Sequence, residues 1–240
     1  MGVDMQTLQL GQIITAIGGL GTAAFGLVDA FKAAFSGINR IGLTHIQDVV
    51  TSLSPDQTGP DLPAKPMNAL PRQNILQTVE ANWVNGTDLA SQKAIAKSLI
   101  KLHISPGNAA ALAVKTNVDP VLLGSVAAKT IAGVSLAQAE SDVFARFDLI
   151  VTAMLDEAYQ LSDQVYRNWT RALAAFVAVL LALAGAWSLE GAKFLSSPGD
   201  IALAFLVGLL ATPLAPIAKD ISSALATAVD TMQLVKKAGA

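Results

Sequence analysis

Three stretches of the sequence are apolar around the whole circumference of a helix. The clearest, Ala172 to Leu189, contains no charged residue and is bounded by Arg171 and Glu190. The second runs from Ile201 to Ala218, and the third, rich in glycine, from Leu10 to Val28. A helix of about 20 mostly apolar residues crosses the hydrocarbon layer of a bilayer. The pattern therefore predicts an all-α integral membrane protein with about three transmembrane helices.

The N-terminal stretch has two other interpretations, a surface or re-entrant helix and a signal peptide. A signal peptide normally carries basic residues before its apolar core. Here no basic residue precedes Lys32, and Asp4 is the only charge before the core. We therefore expect a span. Within it, Gly18, Thr22 and Gly26 form a row of small residues that predicts close packing against another helix.

The two remaining apolar stretches are predicted to form an antiparallel hairpin over residues 172–218. A short linker, Glu190 to Ser197, separates them, and Ser197-Pro198 is typical of a helix start. Pro213 and Pro216 lie inside the second stretch. Because proline removes a backbone donor and clashes with the preceding turn, we expect a kink or an early helix end near Thr212.

A single long helix is predicted to lead into the hairpin. No glycine or proline occurs from Ser135 until Gly185, and Ser135 with Gln138 matches a capping box. We expect one continuous helix from about Leu136 to Ser188. Its first part, 135–171, would be a cytoplasmic stalk continuous with the second span.

An apolar stripe along this stalk predicts packing against neighbouring helices or self-association. Ile150, Met154 and Leu161 are the positions that we expect to carry the contact. After the third span, apolar residues repeat at helical spacing from Ile221 to Val235. This repeat predicts a C-terminal amphipathic cytoplasmic helix over residues 219–240, lying on the membrane surface or on the stalk.

Between the N-terminal transmembrane segment (1–36) and the stalk lies a cytoplasmic region, 37–134. Its proline-rich part, 55–71, is predicted to be an extended linker. Short helices are predicted at 72–84 and 89–102, and two more are predicted to begin at Ser105-Pro106 and Asp119-Pro120. The region is therefore expected to form a small helical domain.

Basic residues near the spans predict the orientation, since they mark the cytoplasmic side. They follow the first span, precede the second and follow the third, whereas the hairpin linker holds only Lys193. We expect the N-terminus outside and the C-terminus in the cytoplasm. Four residues are predicted to lie at the membrane interface, where aromatic and basic side chains favour the headgroups: Arg167, Trp169, Arg171 and Trp187.

Composition supports the membrane class and excludes several others. Hydrophobic residues make up 52% and charged residues 14%, and the net charge is −2. The mean hydropathy is +0.50. Disordered chains need the opposite balance, and no global basic field is available for nucleic acid. The chain has no cysteine, which excludes disulfides and thiolate metal sites.

The sequence contains few patterns that indicate chemistry. No phosphate-binding, nucleophile-elbow or zinc-protease motif occurs, and His45 and His103 have no partner at ligand spacing. The stalk carries a cluster of three carboxylates, Asp156, Glu157 and Asp163. We expect it to be a solvated face near Arg167. We therefore expect no catalytic, cofactor-binding or metal-binding residues, no cofactor and no enzymatic activity.

Residues at the end of the stalk resemble a pattern in uncharacterised bacterial inner-membrane proteins. The resemblance rests on Leu155-Asp156, Tyr159, Ser162 and Tyr166-Arg167, followed by a two-helix hairpin. Those proteins have an N-terminal span, a helical cytoplasmic region and a terminal membrane hairpin. The chain departs from their pattern at Gln160, Leu161 and Val165. The resemblance implies a bacterial inner-membrane location and this layout, but no activity.

Two functional hypotheses follow from the sequence. The first is a non-enzymatic membrane anchor, assembly factor or accessory subunit, which would contact the lipid bilayer and a membrane protein partner or a second copy of itself. The alternative is an oligomeric pore-forming or membrane-permeabilising protein of the toxin or defence type. Only the polar residues Gln12, Thr15 and Thr22 in the first span support a pore lining.

Overall fold

The computed structural model describes residues 5–55 and 70–238, with side-chain surroundings for 12–35, 37–55, 70–220 and Ser223. Helices account for most of these residues. In chain order they are α1 (Met5–Ala34), α2 (Ser36–Asn39), α3 (Leu43–Ser52), α4 (Arg72–Val84), α5 (Leu89–His103), α6 (Pro106–Thr116), α7 (Pro120–Ala132), α8 (Gln138–Glu190) and α9 (Pro198–Ala238), with a 3₁₀ segment at Gly191–Ser196. The predicted all-α class is confirmed.

The helices divide into two compact units. One contains α1, the part of α8 from Arg167 onward, and α9; we call it the apolar unit. The other is Ser36–Tyr166, which we call the helical domain. Three helical stretches are long and apolar enough to cross a membrane: Gln12–Ala34, a segment within Gln138–Ser196, and Pro198–Asp220. All three belong to predicted spans.

Local capping signals determine several helix bounds in the helical domain. The Asp88 side chain accepts a hydrogen bond from the Ser91 backbone N–H at 2.9 Å and begins α5. The Asp119 side chain caps α7 in the same way, and Gly133, with a positive φ of 68°, ends it. Because such signals are local, the predicted helices at 72–84 and 89–102 agree with α4 and α5 to within one residue.

The core of the helical domain is built from α3 to α8. Its fully buried side chains come from every one of these helices, for example Ile46, Ile75, Ile100, Leu112, Leu123 and Phe147. α3 was not predicted from the sequence. Gly42 begins it in the left-handed conformation, with φ 86°, and lies against the Ser162 backbone of α8. A side chain at Gly42 would meet that backbone, so glycine is needed there.

The predicted long helix is present as α8 (Gln138–Glu190), continuous from the stalk into the apolar stretch that begins at Ala172. As expected, its stalk part packs against neighbouring helices, because α8 up to Tyr166 belongs to the core of the helical domain. α8 begins at Gln138 and not at the predicted capping box of Ser135 and Gln138. The Glu140 carboxylate instead accepts the Ala137 backbone N–H at 2.7 Å, which satisfies a donor at the helix start.

α9 also differs from its prediction, because it continues through Pro213 and Pro216 as one helix to Ala238. Neighbouring helices can compensate for the backbone bonds that proline removes inside an apolar bundle, and α9 packs closely on α1 at this level. The predicted C-terminal helix is therefore an extension of α9. The side chains of its predicted apolar face, Ile221 to Val235, lie outside the described residues. The predicted proline-rich linker lies outside them as well, from residue 56 to residue 69.

Candidate functional site

Two glycines bring the backbones of α1 and α9 together in the apolar unit. A Cβ added at Gly18 would lie 2.8 Å from the Leu214 carbonyl oxygen and would also collide with the Ala218 side chain. A Cβ at Gly21 would collide with the Ala211 carbonyl. Small residues permit such close packing, which stabilises helix pairs in lipid.

The predicted row Gly18, Thr22 and Gly26 does not form one contact face. Gly18 is buried, but Thr22 and Gly26 are exposed, and no described atom lies within 4 Å of a Cβ added at Gly26. The contact instead advances from Gly18 to Gly21 and then to Ala24. Thr22 donates its hydroxyl to the Gly18 carbonyl at 3.1 Å, so its polar group is satisfied within α1.

A third close contact joins α8 and α9 in the same unit. A Cβ at Gly208 would collide with the backbone of Val179 and come within 2.9 Å of its Cγ2 atom. Ala24, Ala178 and Ala211 form the buried cluster where α1, α8 and α9 meet. Gly21 and Gly208 were not among the predicted packing residues. Both lie in apolar stretches that contain several small residues, and the sequence does not tell which of them face another helix.

The four residues predicted at the membrane interface are exposed. Trp169 and Trp187 show 61% and 56% of their surface, and Arg167 and Arg171 are exposed as well. They lie on α8 near the two ends of its apolar stretch. Large exposed indoles are compatible with a headgroup environment, and the interface role stays a prediction.

The stripe of α8 that packs in the helical domain is rotated from the predicted one. Ile150 and Met154 are only partly buried, and Leu161 is 41% exposed. The fully buried residues are instead Phe147, Val151, Leu155 and Tyr159. The correct face is one position further along the helix at each turn, because the neighbouring helices α3, α4 and α5 cover that side.

A row of lysines on α5 pairs with aspartates on α8. The Asp148 carboxylate accepts from Lys101 at 3.0 Å and from Lys97 at 3.2 Å. Lys93, one turn before Lys97 on α5, pairs with Asp156, two turns after Asp148 on α8. Burial raises the pKa of Asp148, but the hydrogen bonds from the two lysines outweigh it and hold the pKa below its ordinary value. The predicted solvated face of Asp156 is therefore an inter-helix ion pair.

The Glu140 carboxylate accepts three hydrogen bonds in the helical domain. Its oxygens accept from Lys129 at 2.7 Å, from Ser125 at 2.6 Å and from the Ala137 backbone. These three donors lower its pKa from 4.5 to about 2. They tie the start of α8 to α7.

His103 is buried, and each of its ring nitrogens faces a backbone carbonyl. Nδ1 lies 2.7 Å from the Leu70 oxygen, and Nε2 lies 2.9 Å from the Pro55 oxygen. Pro55 is the first residue of the proline-rich segment 55–71, and Leu70 lies one residue before its end. His103 thus has a structural role. Its neighbours in the sequence did not indicate that role.

A cavity of about 370 Å³ lies in the helical domain beside the turn between α4 and α5. Its wall includes Trp83, Gln92, Asp88, Asp163 and Tyr166. Asp163, predicted to lie on a solvated face, is therefore part of a concave surface. Within the described part of the chain, no three metal-type side chains are grouped closely enough to hold an ion.

Over residues 5–55 and 70–238 the structure thus defines a class, an all-α protein with three helices long and apolar enough to cross a membrane. No protein-family model matches the chain, and neither a curated protein nor a solved structure matches it significantly.

Proposed function

We propose that the chain is a non-enzymatic accessory protein of the bacterial inner membrane. It acts as an anchor or assembly factor that attaches its helical domain to the cytoplasmic face. Its apolar unit binds a membrane-protein partner or a second copy of the same chain. The proposal is supported by the combination of three apolar helices with a domain that has its own buried core.

One observation carries the partner-binding part of the proposal, and it concerns a second face of α1. Gly18 and Gly21 contact α9, whereas Gly19, Ala23 and Gly26 are exposed on other sides of the helix. A Cβ at Gly19 or Gly26 would meet no described atom within 4 Å. Exposed small residues at helical spacing let a further helix approach closely, and close contact is what drives association in lipid.

The test compares the two faces of α1 by substitution. Gly19→Leu with Gly26→Leu fills the outward face, and Gly18→Leu with Gly21→Leu fills the face against α9. We expect the outward variant to keep the melting temperature of the wild type and to lose its bound partner or second copy. The inward variant should lower the melting temperature, since leucine cannot fit against the α9 backbone. Native mass spectrometry in gentle detergent reads both mass and partner stoichiometry.

Gly185→Leu is the matched control, because Gly185 is an exposed glycine of α8 with open space around its Cα. It should retain the partner. A wild type that is monomeric and carries no stoichiometric partner would overturn the proposal. Ion leakage from vesicles containing the wild type, abolished by changing Thr15 and Thr22 to valine, would establish the pore alternative.

A further inference from the structure

The three helices of the apolar unit form a groove of about 430 Å³ between α1, α8 and α9. Its volume falls within the range of ligand sites, roughly 300–1,000 Å³, and such sites often lie between the helices of a bundle. The walls are mostly apolar and include Leu20 of α1, Leu181 of α8 and Leu203 of α9. The groove is open and not enclosed, so a ligand can enter it from the side.

Small residues of α8 leave the space that makes the groove. Ala182, Gly185 and Ala186 line it, and a Cβ added at Gly185 would meet no described atom within 4 Å. The lining on α8 runs from Leu181 to Glu190, which at 1.5 Å per residue is about 14 Å. One leaflet of a hydrocarbon layer of roughly 30 Å is about 15 Å deep. The groove therefore has the length of the acyl-chain region of one leaflet.

Two carboxylates, those of Glu190 and Asp200, give one end of the groove a negative charge. Glu190 follows the apolar stretch of α8, and Asp200 directly precedes Ile201, where the stretch of α9 begins. The described lining residues include no lysine, arginine or histidine. Within the described part of the chain, neither carboxylate has a hydrogen-bond or ion-pair partner. The groove is thus apolar along its length and anionic at one end, which is complementary to a lipid with a cationic headgroup.

We propose that this groove binds one phospholipid that carries a primary ammonium headgroup, as phosphatidylethanolamine does. The ammonium group donates charge-assisted hydrogen bonds to Glu190 and Asp200, and an acyl chain lies along the apolar walls. An anionic headgroup is disfavoured, because like charges would then be brought together. The inference rests on the membrane location proposed above, but not on the binding of a protein partner.

The experiment titrates lipids into the full-length protein in gentle detergent and counts the bound molecules by native mass spectrometry. Three phospholipids with identical acyl chains are compared. Phosphatidylethanolamine has an ammonium group with N–H donors, phosphatidylcholine has a positive charge without N–H donors, and phosphatidylglycerol is anionic. We expect one phosphatidylethanolamine per chain, with the other two bound at least about tenfold more weakly, since hydrogen bonds to charged groups are the stronger ones.

Removing the two charges tests the headgroup contact. Glu190→Gln combined with Asp200→Asn should lower the affinity for phosphatidylethanolamine by about tenfold or more, to the level of phosphatidylcholine. Asp220→Asn is the matched control, because Asp220 is an exposed carboxylate at the other end of the Pro198–Asp220 span and outside the groove. This variant should prefer phosphatidylethanolamine as the wild type does.

Filling the groove tests the acyl-chain contact. Gly185→Leu should lose the bound lipid and keep the melting temperature of the wild type, since open space surrounds Gly185. Gly26→Leu is its control, because Gly26 is an exposed glycine of α1 outside the groove, and it should keep the lipid. The protein partner proposed above should respond to filling of the α1 face and not to Gly185→Leu, so the two proposals fail separately.

Equal affinity of the wild type for the three lipids would overturn the inference, because the lipid would then be part of an unselective shell. An unchanged preference in the variant without the two carboxylates would overturn it as well. If that variant does not fold, Gly185→Leu decides, and retention of the lipid there rejects the groove. Release of the wild type from membranes by an alkaline wash would reject the membrane location itself, whereas an embedded protein without lipid preference rejects only the lipid site.

Discussion

At the scale of single residues, Glu140 couples the start of α8 to α7 through three donors. Glu140 lies in the helical domain, well before the apolar segment Ala172–Leu189 along the chain. The Lys129 ammonium group and the Ser125 hydroxyl bind its carboxylate directly. A carboxylate held in this way favours the folded state only while it is ionised.

We therefore expect Glu140 to make the stability of the helical domain depend on pH. Its folded pKa of about 2 lies below its ordinary value of 4.5. The stabilisation is thus fully present above pH 4.5 and is lost as the pH falls from 4.5 towards 2. In Glu140→Gln this part of the pH dependence should disappear. Urea unfolding measures this pH dependence. It is followed by Trp83 fluorescence in proteins whose other two tryptophans, Trp169 and Trp187, are replaced by phenylalanine.

Asp142→Asn serves as the control, because Asp142 is an exposed carboxylate in the same part of α8 that accepts only from Gln138 among the bonds described. This variant should keep the wild-type pH dependence. Should Glu140→Gln and the wild type lose stability in parallel over that pH range, the three donors do not stabilise the ionised carboxylate.

At the scale of elements, α8 allows a direct comparison between its packed face and the face that the sequence predicted. Leu155 is 1% exposed, and Leu161 is 41% exposed. Leu155→Ala should destabilise the helical domain by about 2–5 kcal/mol, since it removes buried carbon atoms and leaves a cavity. Leu161→Ala should cost less than about 1 kcal/mol. Hydrogen exchange of the α5 and α8 amides reports both losses; equal losses would contradict the assignment of the buried face.

The same elements show how far the sequence predicts the fold. α4 and α5 were predicted closely because their caps and turns are encoded by neighbouring residues such as Asp88. The face of α8 was misplaced by one position, because adjacent apolar residues such as Ile150 and Val151 differ only in what packs on them. α3 was missed, since its start depends on the approach of Gly42 to Ser162 across more than a hundred residues. A cavity formed by α2, α4, α5 and α8 has no local signal at all.

The helix contacts of the apolar unit follow the same rule. Composition predicts that α1 packs closely, because it is rich in glycine. Which glycines do so depends on the partner helix: Gly18 and Gly21 meet α9, whereas Gly26 does not. The spacing of small residues alone therefore predicts that contacts form, but not which face of the helix makes them.

At the scale of the whole molecule, the orientation in the membrane is the property with the sharpest consequence. Basic residues adjoin the end of α1, the start of the apolar segment of α8 and the segment after Pro198–Asp220. The 3₁₀ segment Gly191–Ser196 holds only Lys193. Since basic residues are retained on the cytoplasmic side, we expect this 3₁₀ segment outside, and the helical domain and the C-terminus inside.

Because the chain has no cysteine, single cysteines can report this orientation without background. Ser196→Cys and Asp4→Cys should react with a membrane-impermeant maleimide in intact bacterial spheroplasts. Glu157→Cys, and a cysteine appended after Ala240, should react only after the membrane is permeabilised. Reaction of Ser196→Cys and the appended cysteine from the same side would disprove the hairpin. A cytoplasmic Asp4→Cys with an intact hairpin would show that α1 does not span, and then its exposed glycine face could not meet a partner helix within the bilayer.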